Sequence, residues 1–186
     1  MTSNIEMMWD VVELHKKFIQ ADFQRWITYE LFSWSWWLLV LFLIIPWIIW
    51  IKFFDRKRFM EIILFGALTV IPTTYLDAIG SDLGFWIYPT ELIPITPRAI
   101  AFDMSLVAIT YMLLYQYFTT WKSFLIAQVI MALLFAFVGE PLSHTLNLVL
   151  YMKWVYLYSF IYYIIIGIAS KAILEKAKQM YPPYNS

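Results

Sequence analysis

Ser33 to Phe54 reads SWSWWLLVLFLIIPWIIWIKFF, with no charged residue before Lys52. At about 1.5 Å of rise per residue, a helix of this length crosses a hydrocarbon core of about 30 Å. Pro46 is expected to kink it, and Asp55-Arg56-Lys57-Arg58 closes it with a basic turn. The rest of the chain has the same character. Hydrophobic residues make up 62% of the 186 positions and charged residues 14%, whereas soluble domains carry roughly 25% charged residues. A soluble fold of this size could not hide that much apolar surface. Ten Trp and thirteen Tyr suit membrane–water boundaries, where a ring is buried and its N–H or O–H stays wet.

Working outward, the fold class expected is an all-α polytopic membrane bundle of about five crossings. The later spans are placed at about 59–77, 98–118, 121–150 with a kink at Pro141, and 154–174. Residues 1–32 read as an amphipathic interfacial helix, with Val11, Leu14, Phe18, Ile19, Phe23 and Trp26 at helical spacing. They lack the basic stretch and short apolar core of a cleavable signal peptide. Residues 78–97 hold prolines, glycines, Asp82 and Glu91 without periodicity and read as an ordered loop or interfacial lid. Residues 179–186 read as a tail. With five spans, Lys52, Arg56, Lys57, Arg58, Lys122, Lys171, Lys176 and Lys178 fall on one side, and Lys16, Lys17, Arg25, Arg98 and Lys153 on the other. The positive-inside rule then puts the C-terminus in the cytoplasm and the N-terminus outside the cell membrane.

Charged groups balance at thirteen of each sign, so no basic stripe points to nucleic acid. The absence of Cys excludes thiol catalysis and thiolate metal sites. Phosphate-cradling loops, HExxH and nucleophile elbows are all missing. Neither a cofactor nor a metal is called for.

The candidate chemistry lies in acids placed inside spans, where charge is costly. Asp77 lies about 27 Å along the second span from Phe59, Asp103 about 8 Å below Arg98, and Glu140 about 28 Å above Trp121. All three therefore reach the same outer third of the membrane. Asp77, Asp103 and Glu140 are the catalytic candidates. Trp86, Tyr88, Arg98, His144, Asn147, Ser159 and Tyr162 are the binding candidates at that level, with Arg98 the obvious counter-ion. Structural readings compete with each. Asp77 could end a helix, Asp103 and Arg98 could pair at the interface, and Glu140 could serve a helix break at Pro141.

Several stretches carry two resemblances. YLDAIGSDLGFWIYP (75–89), YQYFTTWKSF (115–124), FAFVGEPL (135–142) and KWVYLYSFIYY (153–163) resemble a family of small multi-pass membrane proteins of spore-forming Bacillota with no activity to carry over. Asp77-Ala78, Gly80, Gly84, Trp86 and Tyr88-Pro89 are similar to the acid-and-glycine stretch of lycopene-cyclase domains and transmembrane terpene cyclases. Those enzymes follow it with tandem acids in the next span, where this chain has only Asp103. The resemblance implies a membrane enzyme closing rings on an isoprenoid-like substrate by proton donation from a carboxylic acid. A small proton- or cation-coupled transporter, and a non-catalytic component that binds membrane lipid or a partner, are the alternative expectations.

Overall fold

Apolar runs broken by short polar turns dictate helices that pack antiparallel, because in lipid every backbone N–H and C=O must be satisfied within its own segment. The computed structural model describes residues 2–95 and 97–180 and shows an all-α helical bundle. Thr96 and the tail beyond Met180 lie outside the described residues. The helices are α1 (Thr2–Arg25), α2 (Trp34–Phe53), α3 (Phe59–Asp82), α4 (Ala108–Tyr117), α5 (Trp121–Leu134), α6 (Glu140–Thr145) and α7 (Tyr156–Met180). Three π-helical stretches interrupt them, at Trp26–Glu30, Phe102–Val107 and Phe135–Gly139.

Among the described residues, four helical runs are long and apolar enough to cross a membrane: Trp34–Phe53, Arg56–Asp82, Trp121–Thr145 and Tyr156–Met180. The count is four rather than five. The expected third crossing is helical only from Ile100 through α4, and Arg98 lies in the turn before it. Its position explains the shortness. Ile109, Tyr111, Met112, Leu114 and Tyr115 are all buried, so α4 meets protein rather than lipid and need not match the bilayer's thickness. It still reaches the far end of the bundle. There Gln116 accepts from the Asp55 amide (2.9 Å) and donates to the Phe53 carbonyl (2.8 Å), capping the end of α2.

Helix ends follow local chemistry. Ser33 Oγ accepts from the Trp36 amide at 3.2 Å to start α2, and Thr120 Oγ1 accepts from Ser123 at 3.2 Å to start α5. α3 runs five residues beyond Asp77, so Asp77 sits inside a helix and does not cap one. The fourth crossing ends at Thr145 rather than near 150. Its irregularity comes before Pro141, as the π stretch Phe135–Gly139, and the proline opens α6 without breaking the run.

Two apolar layers hold the bundle. One gathers Trp50, Ile62, Phe65, Tyr111, Phe124 and Leu174 away from the lid. The other gathers Leu39, Trp86, Tyr88, Leu92, Leu148 and Val149 beneath it. Between helices in lipid, close packing and hydrogen bonds do what the hydrophobic effect does in water. At Gly167 a Cβ would lie 2.5 Å from Gln128 Oε1, so α5 and α7 approach closely only because that position is glycine. Gln128 Nε2 (2.8 Å) and the Tyr111 hydroxyl (2.6 Å) both donate to the Tyr163 carbonyl, tying α4 and α5 to α7.

The lid is more ordered than an aperiodic loop suggests. Trp86–Ile87 (β1) pairs antiparallel with Leu150–Tyr151 (β2), with Trp86 opposite Tyr151. Above it, α1 stands largely exposed, with Ile5, Trp9, Leu14 and Phe18 uncovered. Only its final turns and the π stretch that follows touch the lid, where the Trp26 indole donates to the Glu91 carbonyl at 2.9 Å.

Candidate functional site

Beneath the lid lies a cavity of about 260 Å³. Two of the three π-helical stretches line it, one through Phe102, Asp103, Leu106 and Val107, the other through Phe135 and Gly139 with Glu140 just beyond. A π turn widens the helix and re-aims its side chains, and such turns gather at functional sites. α3 contributes Thr73, Leu76 and Asp77, and α7 contributes Ser159, Tyr162 and Tyr163. The lid closes the space with Trp86, Tyr88, Tyr151 and Trp154.

The three acids differ in what reaches them. Asp77 Oδ1 accepts from the Trp86 indole at 3.0 Å and from the Tyr88 hydroxyl, while its Oδ2 is buried without a hydrogen-bond partner. Burial first, then the carboxylates of Asp77 and Asp103, hold the Tyr88 phenol well above its ordinary range, so it stays a donor. Glu140 accepts twice, from Ser159 Oγ at 2.9 Å and from the Tyr163 hydroxyl at 3.1 Å. An indole N–H can only donate. Trp154 therefore donates to Ser159 Oγ (2.8 Å), which turns the serine proton toward Glu140. Asp103 is buried, and its Oδ2 has no hydrogen-bond partner. Among the described residues, none of the three acids forms an ion pair, and no three His, Cys, Asp or Glu side chains group closely enough to hold a metal.

Of the residues singled out in the sequence, Asp77, Asp103, Glu140, Trp86, Tyr88, Ser159 and Tyr162 all line this cavity. The Tyr162 hydroxyl lies 2.8 Å from Thr73 Oγ1. Arg98, His144 and Asn147 do not line it. His144 and Asn147 are exposed; His144 keeps its place one turn beyond Glu140 in α6 but outside the cavity, whereas the helix ends at Thr145 and Asn147 turns into the left-handed region at φ 54°. Tyr151, Trp154 and Ser143 were missed. Tyr163, one turn beyond Ser159 at the same level of the last span, joins the lining. The three missed residues depend on strand pairing and on the π turn, which leave no periodic mark.

Arg98 serves a different cluster, between the lid and the end of α1. Its Nη1 lies 3.0 Å from Asp22 Oδ2 and pairs with Glu91, and its guanidinium stacks over Phe18. Arg25 lies 2.9 Å from Asp22 and 2.7 Å from Glu30, and Glu30 accepts from the Glu91 amide at 2.7 Å. Three acids thus share two arginines. Burial, aided by the charges of Asp22 and Glu30, outweighs Arg98 and pushes the Glu91 carboxyl up to about 7.

Compared with protein-family models, with curated proteins and with solved structures, the chain matches none in any of the three.

Proposed function

We propose that this membrane protein is an enzyme that isomerises or cyclises a lipid-soluble, isoprenoid-like substrate by proton transfer between carboxyl groups. One observation carries the reading: three buried carboxyls, none matched by a cation, face a single aromatic-walled cavity. An unpaired carboxylate in such a wall is costly, and taking up a proton is one way to remove the cost. Asp103, at which no N–H or O–H is aimed, is assigned as donor, and Glu140, to which two hydroxyls donate, as acceptor. Asp77 is held as a fixed negative wall by Trp86 and Tyr88. The similarity of residues 77–89 to lycopene-cyclase domains supports the same chemistry.

The steps balance without a co-reactant. The Asp103 O–H bond breaks as its proton forms a C–H bond on an alkene carbon, leaving a tertiary carbocation. A second alkene of the same chain closes the ring with its π electrons. The new cation then loses a C–H proton to Glu140, restoring an alkene. Rings of Trp86, Trp154, Tyr151 and Phe135 offer π faces to the travelling charge. The protons exchange with water between turnovers.

The lid end is placed outside the cell and the basic far end in the cytoplasm, following the lysines and arginines. A reporter fusion at residue 55 that reads outside, or one at residue 90 that reads the cytoplasm, would overturn that orientation.

The function is tested by incubating purified protein in nanodiscs with linear prenyl substrates in deuterated water. A product of the substrate's skeleton carrying one added deuterium, lost with Asp103→Asn, is expected. No product from any such substrate, together with acid-dependent uptake lost on Glu140→Gln, would replace the enzyme with a transporter.

A further inference from the structure

α4 packs against α3, and α5 against α7, so α4 and α5 meet mainly near the short turn that joins them. A furrow of about 390 Å³ opens between them on the bundle's outer surface. Its walls include Leu113, Tyr117, Ala127, Ile130 and Leu134, and at its upper end it shares Phe135 with the acid cavity. From Ala127 to Phe135 it extends about 12 Å along α5. Hydrogen-bonding groups are few: the Thr110 hydroxyl in its wall is already committed to the Leu106 carbonyl at 2.7 Å, which leaves the Tyr117 hydroxyl at the end remote from Phe135. Small Ala127 keeps the floor open, and half-buried Phe135 stands at the junction, its ring edge-on to Tyr163 at 5.7 Å.

We infer that the furrow is the tail-binding subsite for a linear isoprenoid chain whose reactive end lies in the acid cavity and whose remainder runs past Phe135 along α4 and α5. This rests on the function proposed above and names its substrate class: acyclic chains longer than the cavity, without polar groups in their distal half. Phe135, the wall common to furrow and cavity, selects the occupant. A chain anchored at the acids that passes this ring enters an apolar path in contact with protein. Hydrocarbon gains nothing by leaving lipid for an apolar groove, so the subsite acts by position. It fixes the tail and so limits which alkene reaches Asp103.

Two prenyl alcohol probes, one short and one long, each with a photoactivatable diazirine at the end remote from the hydroxyl, are bound to the full chain in nanodiscs and cross-linked. Peptide mass spectrometry is expected to find the long probe on 113–117 and 127–134 and the short probe on cavity residues such as Phe102 and Tyr162. Ala127→Trp should weaken the long probe roughly tenfold and leave the short one unchanged. Ile130→Trp, at an exposed position on the same wall, replaces it if the first variant does not fold. Long-probe labelling spread over α2 and α7, equal labelling by a straight acyl probe, or indifference to both tryptophans would overturn the subsite. The readout needs no turnover. Furrow labelling that persists in Asp103→Asn, beside a complete lack of product from wild type, would sink the acid chemistry and leave the subsite standing.

Discussion

Two groups of three buried acids lie near one end of this molecule, one in the α1–lid junction and one in the cavity beneath. Asp22, Glu30 and Glu91 are threaded together by Arg25 and Arg98. Asp77, Asp103 and Glu140 have hydroxyls, indoles or nothing. Burial is similar, but the company is not. An acid locked to a guanidinium is spent on holding two segments together, while an acid without a cation remains available to a proton or a ligand. On the proposed reading, the difference separates architecture from chemistry.

The sharpest way to break the comparison is to remove one partner from each group. Arg98→Ala leaves Asp22 and Glu91 facing each other at the lid and should cost about 3 kcal/mol of thermal stability in nanodiscs. Asp103→Asn should leave stability within about 0.5 kcal/mol of wild type while lowering turnover roughly a hundredfold or more. If the asparagine variant melts early and the alanine variant does not, the assignment of the two groups is reversed.

A smaller effect tests how the lid positions Asp77. A Cβ at residue 80 would lie 2.0 Å from the Trp86 ring, so Gly80→Ala must displace the indole that donates to Asp77. A loss of about 2 kcal/mol is expected, with Trp86 fluorescence shifted to a wetter environment. Unchanged emission would show that the indole's place does not depend on that glycine.

The lid junction should also respond to pH, on the order of 1 kcal/mol. Glu91 holds its proton up to about pH 7 when docked but has an ordinary value of 4.5 when released. The docked state therefore binds more protons. Docking is strongest below pH 4.5 and weakens as pH rises through 7. Hydrogen exchange of residues 86–92 should quicken across that window and become flat in Glu91→Gln; an increase in protection with pH would contradict the sign. Smallest of all, Tyr88→Phe removes one of two donors to Asp77 Oδ1 and should cost about 0.5–1 kcal/mol.

Much of this was legible in the chain. Long apolar runs set the crossings, and counting helical rise placed Asp77, Asp103 and Glu140 at one height, which is where the cavity lies. What failed did so for identifiable reasons. Helical rise gives depth but not enclosure: His144 stays one α turn beyond Glu140 in α6 yet is exposed, and Asn147 lies past the end of that helix. Arg98 was matched to the nearest acid in sequence, Asp103, yet it pairs with Glu91 in the lid and with Asp22, 76 positions away on another helix. The crossing count failed because α4 is too enclosed to be sized by the bilayer.

Lys171, near the far end, carries a consequence for how the chain is assembled. Its ammonium is 1% exposed, lies 4.4 Å from the Phe124 ring centre, and donates to the Thr119 carbonyl at 2.9 Å. That carbonyl belongs to the turn joining two helices made earlier. Until α7 packs against that turn, the lysine has no carbonyl to donate to and must reach for the membrane boundary instead. The turn and α7 therefore settle together, each completing the other's polar contacts.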